Sequence, residues 1–154
     1  MEVKIKKLHK DAVIPKYAHN GDAGMDLVAV SKEIDSDANI VYDTGLAFEI
    51  PKGYVGLVFP RSSNAKKDLL LSNSVGVIDS NYRGSVTLKF KANKPIETTT
   101  ILKDKDKWKW AKVYEVGDRV GQIIIMPYPQ IEFVEVEELS KTERGEGGYG
   151  STGK

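Results

Sequence analysis

The chain has 154 residues, of which 40% are hydrophobic, and this size and composition suit one globular domain. Its 23 basic and 22 acidic residues nearly cancel, so no overall field would attract nucleic acid or an acidic membrane. The absence of cysteine excludes disulfides, thiolate zinc sites and thiol nucleophiles, and two histidines are too few for a multi-histidine metal centre.

The N-terminal segment alternates charged residues with Val and Ile and lacks the apolar core of a signal peptide. No apolar run approaches the ~20 residues that a membrane span requires. We therefore expect a cytoplasmic protein without a membrane or nucleic-acid partner. Any metal ion that it uses must be held by oxygen.

Short strands dominate the chain. Alternating apolar residues, typical of half-buried strands, recur in four segments: Val3/Ile5, Leu46/Phe48/Ile50, Val55/Leu57/Phe59 and Val86/Leu88/Phe90/Ala92. Pro51-Lys52-Gly53 separates the second and third segments at the spacing of a hairpin, and Gly117-Asp118-Arg119 precedes a further apolar stretch at 120–126. Helical periodicity is limited to a short candidate at 62–67. The pattern predicts an all-β subunit, a jelly-roll-like β-sandwich or barrel.

Two segments depart from the strand pattern. Residues 96–112 combine Thr-rich and Lys/Asp-rich stretches with Trp108 and Trp110, which predicts an inserted, protruding hairpin. Residues 144–154 hold five glycines, and ordering them would cost roughly 1–2 kcal/mol per residue, so this tail should be mobile until a ligand holds it. We expect a β domain at 1–143 and a flexible C-terminal lid at 144–154.

Four loops and the tail combine glycine with hydrogen-bonding side chains and one or two charges. They are GDAGMD at 21–26, PRSSN at 60–64, GVIDSNYRG at 76–84, GDRVGQ at 117–122, and the tail. Each alone is typical of a simple turn. Together, in this order and spacing, they resemble the five motifs of the trimeric dUTPases, and the resemblance extends from Gly21 to Gly153.

The resemblance implies a Mg²⁺-dependent enzyme that hydrolyses dUTP to dUMP and pyrophosphate, lowering dUTP and supplying dUMP for thymidylate synthesis. It also implies a homotrimer with three shared active sites. One subunit would supply the first, second and fourth motifs, another the third, and the remaining subunit the tail.

Matching positions in the third motif carry the chemistry of the base, the sugar and the attacking water. Asp79 matches the catalytic carboxylate that activates water for attack on the α-phosphorus. Tyr82 matches the ring under the deoxyribose that leaves no room for a 2′-hydroxyl. Asn73 and the hairpin main chain at Gly76, Val77 and Ile78 match the groups that bind uracil.

The other motifs match groups that bind phosphate and metal. Arg61, Ser62 and Ser63 belong to the second motif and Gln122 to the fourth, and these would lie along the phosphates. Ser63 and Asn64 depart from the usual Gly and Leu of that motif. Asp26 matches the carboxylate that holds Mg²⁺ through water.

The tail matches groups that close over the nucleotide. Arg144 corresponds to the arginine of the γ-phosphate and Tyr149 to an aromatic ring that stacks on uracil. Gly150, Ser151 and Thr152 belong to the same substrate-binding segment, and the two hydroxyls would donate to phosphate.

Two other functions fit parts of this pattern. A dCTP deaminase shares the fold and the triphosphate site, but its catalytic glutamate corresponds here to Lys89, which cannot shuttle protons in the same way. A regulatory module that binds nucleotide without turnover would keep the fold, although the presence of Asp79, Tyr82, Gln122 and Arg144 argues against lost catalysis.

Overall fold

The structure is a computed structural model that describes residues 1–94 and 111–148, and within these ranges it has ten strands and one short 3₁₀ helix. The first five strands are β1 (Lys4–Lys7), β2 (Met25–Val28), β3 (Ser31–Ile34), β4 (Ile40–Asp43) and β5 (Leu46–Glu49). The others are β6 (Tyr54–Phe59), β7 (Leu69–Leu71), β8 (Gly76–Ile78), β9 (Thr87–Ala92) and β10 (Arg119–Pro127). The 3₁₀ helix, Ser62–Lys66, lies between β6 and β7.

The strands form two four-stranded antiparallel sheets and one two-stranded sheet. One large sheet has the order β2-β10-β6-β8, the other has the order β3-β4-β9-β7, and β1 pairs with β5. The buried core contains residues of both large sheets, so the sheets pack face to face as a sandwich. Gly121 of β10 makes this close approach possible, because a Cβ there would come within 2.4 Å of the Leu88 side chain on β9.

An aromatic cluster fills one end of the core. Tyr42, Phe90 and Tyr114 are all nearly inaccessible to solvent, and their ring centroids are 5.8 to 6.0 Å apart. The Tyr42 hydroxyl donates to the Tyr114 carbonyl at 2.9 Å and accepts from the Tyr114 amide at 3.1 Å. These bonds satisfy the buried polar groups and fix residue 114 against the core.

The predicted all-β class is confirmed, and strands occupy the segments that alternate in sequence. The helix candidate at 62–67 is the 3₁₀ helix, and the apolar stretch at 120–126 lies in β10. The predicted hairpin at Pro51-Lys52-Gly53 is wrong. Its turn is present, with the Tyr54 amide donating to the Pro51 carbonyl at 3.1 Å. The two flanking strands do not pair with each other, because β5 pairs with β1, and β6 pairs with β10 and β8. A short turn specifies a change of direction, whereas pairing depends on distant strands.

Burial on β6 also differs from the alternation read from sequence. Gly56 and Val58 are the buried residues, while Val55, Leu57 and Phe59 are half-buried on the other face. Both faces of this strand are apolar, so the period alone does not say which one faces the core.

The predicted insertion lies mostly outside the described residues, since 95–110, with Trp108 and Trp110, are not among them. Among the residues that are described, no helix is long and apolar enough to cross a membrane.

Candidate active site

The first, second and fourth motifs meet at one end of the sheet that contains β10. This strand lies between β2 and β6, and its Gln122 is opposite Asp26 on β2 and Phe59 on β6. Arg61 lies two residues after the end of β6. Backbone pairing therefore brings together three residues that are far apart in sequence.

These residues line a pocket of about 500 Å³ with a mixed charge. Its lining includes the polar residues Lys16, His19, Asp22, Asp26, Arg61, Arg119 and Gln122. Two arginines and a lysine face two carboxylates, so the pocket has an excess of positive charge. Such a site suits a polyanionic ligand.

Asp26 lies at the centre of the charged groups. Its Oδ1 accepts from Arg61 Nε at 2.6 Å, and its Oδ2 accepts from Arg61 Nη2 at 3.3 Å and from Arg119 Nη1 at 3.1 Å. Both oxygens of one carboxylate are thus engaged by two guanidinium groups. The sequence did not single out Arg119, although it stands three residues before Gln122 in the same motif.

The Gln122 side-chain amide is packed between the second and first motifs. Its Nε2 donates to the Pro60 carbonyl at 3.1 Å, and its Oε1 occupies space beside Gly24, where an added Cβ would meet it at 2.7 Å. Gly24 of the first motif therefore permits close packing of the fourth-motif side chain.

The second-motif loop is fixed by the two residues that depart from the family pattern. Ser63 Oγ accepts from Arg61 Nη1 at 3.0 Å. Asn64 Nδ2 donates to the Leu69 carbonyl at 2.9 Å, and its Oδ1 accepts from the Tyr114 hydroxyl at 3.3 Å. Asn64 thus replaces apolar packing with hydrogen bonds, while Ser62 is exposed at the start of the 3₁₀ helix.

Tyr114 is the other residue of this region that sequence reasoning missed. It is 3% exposed, and this burial raises the pKa of its phenol. The Lys67 ammonium lies 4.7 Å from the centre of its ring. The residue therefore supports the second-motif loop from the core side.

The third motif forms a separate pocket of about 160 Å³. Asp79 and Tyr82 both line it, together with Val77, Ile78 and Ser85. The Tyr82 amide donates to the Asp79 carbonyl at 3.1 Å, and the Tyr82 hydroxyl donates to the Ser85 carbonyl at 3.0 Å. These bonds fix the turn at 79–82 and hold the Tyr82 ring against the backbone of Ser85.

Gly84 makes the position of the Tyr82 ring possible. A Cβ at residue 84 would lie 2.3 Å from the tyrosine hydroxyl and 2.6 Å from Cζ. The ring therefore lies directly over the glycine, and any side chain there would displace it.

Asn73 lies in the turn between β7 and β8, where Ser74 adopts a left-handed backbone with φ of 62°. The Val75 amide donates to the Asn73 carbonyl at 2.6 Å. Asn73 is exposed and is absent from the lining of the Asp79 pocket, so the single chain does not bring these two predicted residues into one pocket.

The two pockets lie at opposite ends of β6. Ile78 is paired with Gly56, which places Asp79 beside the Val55 end of the strand, whereas Arg61 follows its other end. At about 3.3 Å per residue, these ends are roughly 20 Å apart along the strand. Within one chain, the Asp79 carboxylate and the Arg61 guanidinium do not share a site.

Arg144 lies in an exposed turn of the tail. Its Nε donates to the Gly147 carbonyl at 2.8 Å, and the Gly147 amide donates to the Arg144 carbonyl at 3.0 Å. The other predicted tail residues, Tyr149, Gly150, Ser151 and Thr152, lie outside the described residues.

Lys89 forms a structural ion pair on an exposed face of β9. Its Nζ lies 2.9 Å from Asp35 Oδ2. The carboxylate raises the pKa of Lys89, and the ammonium in turn lowers the pKa of Asp35. The position that corresponds to the deaminase glutamate therefore carries a paired cation.

Known proteins with the same motifs share both sequence and fold with this chain. A family model described as dUTPase matches residues 10–104 and 111–153. The deoxyuridine 5′-triphosphate nucleotidohydrolase of Nautilia profundicola is 41% identical, with all of both chains covered. A mutant dUTPase of Staphylococcus bacteriophage 80alpha, solved with dUpNHpp, is similar with a TM-score of 0.79 at 30% identity, covering 99% of each chain.

A mutant dUTPase from phage phi11 is similar with a TM-score of 0.69 at 26% identity, covering 90% of this chain and 98% of its own. Its structure describes the coordination of a structural Mg(II) ion. The family model covers nearly the whole chain, and the relative from Nautilia matches it over its full length. The chain therefore belongs to the dUTPase family.

Proposed function

We propose that this chain hydrolyses dUTP to dUMP and pyrophosphate in a site completed by neighbouring copies of itself. The observation that carries the proposal is the convergence of Asp26, Arg61 and Gln122 from three motifs in one positively charged pocket. The substrate agrees with the activity named for the relative from Nautilia and with the dUTP analogue dUpNHpp held by the phage 80alpha enzyme.

Charge favours the triphosphate in the larger pocket. A nucleoside triphosphate carries about four negative charges, and the hydrolysis of such a group depends mainly on positioning and electrostatic stabilisation. Arg61 and Arg119 are already oriented by Asp26, so they lose little freedom when phosphate binds. Ser62 and Gln122 would add neutral donors along the same chain of phosphates.

Asp79 is proposed as the general base. It would accept a proton from a water whose oxygen forms a bond to the α-phosphorus, while the bond from that phosphorus to the bridging oxygen breaks and pyrophosphate leaves. The Tyr82 ring, held over Gly84, would pack against the deoxyribose and exclude a 2′-hydroxyl. Asn73 and the main chain of β8 would bind the uracil edge.

Magnesium fits this site only as an ion that arrives with the nucleotide. The described residues contain no cluster of three or more His, Cys, Asp or Glu side chains that could hold a metal, and both oxygens of Asp26 already accept from arginines. That donor set suits a hydrated Mg²⁺ whose direct ligands are phosphate oxygens, with Asp26 contacting its water. When bound, the ion would supply countercharge to the phosphates.

Assembly into a homotrimer is supported by apolar surface that the single chain leaves uncovered. On the outer face of one large sheet, Leu57 is paired with both Val77 and Ile124, and Val77 is 61% exposed. After β10, the side chains of Phe133 and Leu139 are 90% and 86% exposed. Exposed apolar groups of this kind mark interaction surfaces.

The separation of Asp79 from Arg61 supports the same assembly. Copies of the chain could place the third-motif pocket of one subunit against the phosphate pocket of another. A third copy would contribute Arg144 and the tail residues 149–152. In this arrangement 1–143 is the catalytic β domain, 144–154 is a lid, and the insertion at 96–112 adds nothing to the chemistry.

The rival functions are weaker. Lys89 is committed to Asp35, and it provides no acid for deamination of dCTP. A purely regulatory nucleotide-binding module would not need a carboxylate and a tyrosine arranged in one pocket as Asp79 and Tyr82 are.

The test is a pyrophosphate assay with dUTP, UTP, dTTP and dCTP, with and without Mg²⁺, on the wild type and Asp79→Asn. We expect turnover of dUTP, and a loss in kcat of about 10²–10⁴-fold in the variant with nucleotide affinity retained, because the amide cannot accept the proton. Asp37→Asn, at an exposed position, is the matched control. Ammonia release from dCTP, or wild-type turnover by Asp79→Asn, would refute the proposal.

A further inference from the structure

Arg61 has most of its hydrogen-bonding capacity engaged by its own chain. A guanidinium has five N–H donors. Nε and one donor of Nη2 bond Asp26, and one donor of Nη1 bonds Ser63 Oγ at 3.0 Å. Two donors remain, one on each terminal nitrogen. These two donors are available to phosphate oxygens.

Ser63 anchors this guanidinium to the second-motif loop. The loop is tied to the core next to Ser63, because Asn64 Oδ1 accepts from the buried Tyr114 hydroxyl at 3.3 Å and Tyr114 is in turn bonded to Tyr42 through its backbone. Asp26, by contrast, is shared between Arg61 and Arg119. Of the two residues that hold Arg61, Asp26 also holds Arg119, whereas Ser63, among the described residues, is bonded to Arg61 only.

Asn64 keeps the loop in the conformation that this bond needs. Its amide joins the Leu69 carbonyl at the start of β7 to the Tyr114 hydroxyl, so the 3₁₀ helix is tied on both sides. The serine and asparagine that replace the usual glycine and leucine thus act as a pair. The serine contacts the arginine, and the asparagine holds the backbone below it.

We propose that Ser63 is a positioning residue for Arg61, which it fixes from the Nη1 side while Asp26 fixes the Nε side. This inference rests on the proposed function and changes the role expected for Ser63 from the sequence, which was direct binding of substrate. The physical gain is preorganisation: a long arginine side chain held before binding loses less conformational entropy when it meets phosphate.

The first experiment measures the affinity for dUpNHpp with Mg²⁺ by calorimetry for Ser63→Ala and Ser63→Thr. We expect Ser63→Ala to weaken binding about threefold to tenfold, since the lost bond is to a charged donor, and Ser63→Thr to retain affinity because it keeps the hydroxyl. The loss should be smaller for dUMP, which has one phosphate. Ser31→Ala, at an exposed position on β3, controls for a serine-to-alanine change.

The second experiment is a double-mutant cycle with Arg61→Lys. A lysine cannot reproduce the planar donors, so Ser63→Ala should cause no further loss in that background. An additive loss would overturn the inference, because it would mean that Ser63 contacts the nucleotide independently. Unchanged affinity in Ser63→Ala with Arg61 present would overturn it as well. Unchanged affinity in Arg61→Lys alone would instead refute the phosphate-binding role of Arg61 in the proposed function.

Discussion

At the scale of single residues, the contact between Tyr82 and Gly84 gives a direct test of sugar selectivity. Gly84→Ala adds a Cβ that would lie 2.3 Å from the tyrosine hydroxyl, so the ring must move away from its present position. If that ring excludes the 2′-hydroxyl, both Gly84→Ala and Tyr82→Ala should raise the ratio of kcat/KM for UTP to that for dUTP, by about tenfold or more.

The assay compares both substrates with Gly53→Ala as a control, since Gly53 has open space around its Cβ position. Gly53 has a φ of 84°, so the control reports backbone strain without a steric clash. An unchanged substrate ratio in Tyr82→Ala would remove this ring from the sugar site.

At the scale of elements, Asp68 joins the two chain segments that lie immediately before and after residues 95–110. Its carboxylate accepts from the Lys112 amide at 2.8 Å and pairs with Lys94 at 2.8 Å, and its carbonyl accepts from the Asn93 amide. The Lys94 hydrogen bond, followed by the bond from Lys112, lowers the pKa of Asp68 below its usual value. The residue thereby links the second-motif loop to the base of the predicted insertion.

This lowered pKa gives a pH-dependent contribution to stability. The unfolded carboxyl titrates near ~3.9, so the folded-state stabilisation is present above about pH 4 and is lost as the pH falls through the lower folded value. Asp68→Asn should therefore lower Tm at pH 7, and the difference from wild type should shrink below about pH 4. Glu137→Gln, at an exposed position, should show no such difference.

The tail is the second element whose proposed role can be tested separately. Within the described residues the final strand, β10, ends at Pro127, well before Arg144. Truncation after Glu143 should leave Tm and assembly unchanged but reduce kcat/KM for dUTP at least about tenfold, because Arg144 and residues 149–152 would no longer contact the nucleotide. Deletion of Lys154 alone is the control, and normal turnover by the truncated enzyme would contradict the lid.

At the scale of the whole molecule, the exposed apolar segment after β10 predicts how activity depends on assembly. Phe133 and Leu139 contribute almost nothing to the fold of the single chain, since 90% and 86% of their surfaces are exposed. If neighbouring copies cover them, replacing both with serine removes about 1.5–3 kcal/mol of burial for each side chain. On dilution, the trimer of the variant should then dissociate at a higher protein concentration than the wild-type trimer does.

Light scattering combined with activity at each dilution provides the measurement. Loss of dUTP turnover should follow loss of the trimer, because Asp79 and Arg61 lie in pockets at opposite ends of β6 in one chain. Glu132→Gln, in the same segment, should preserve both properties. Full activity in a monomer would contradict the shared site.

The sequence by itself indicated half of the strands and the positions of the family's motifs, because alternation and turn residues are local properties of the chain. Strands β1, β5, β6, β9 and β10 all coincide with apolar segments recognised from sequence. The motif positions were equally readable, since each motif is contiguous. That local information was sufficient for the all-β class and for the family.

Only the tertiary structure decided which strands pair and which charged groups meet. Asp26 contacts Arg61 and Arg119 across separations of 35 and 93 residues, and these contacts exist because β2 and β6 both pair with β10. The partner of β5 and the buried face of β6 were likewise beyond the sequence pattern. Strand pairing satisfies backbone hydrogen bonds and buries apolar faces over the whole sandwich at once, so no local segment specifies its own partner.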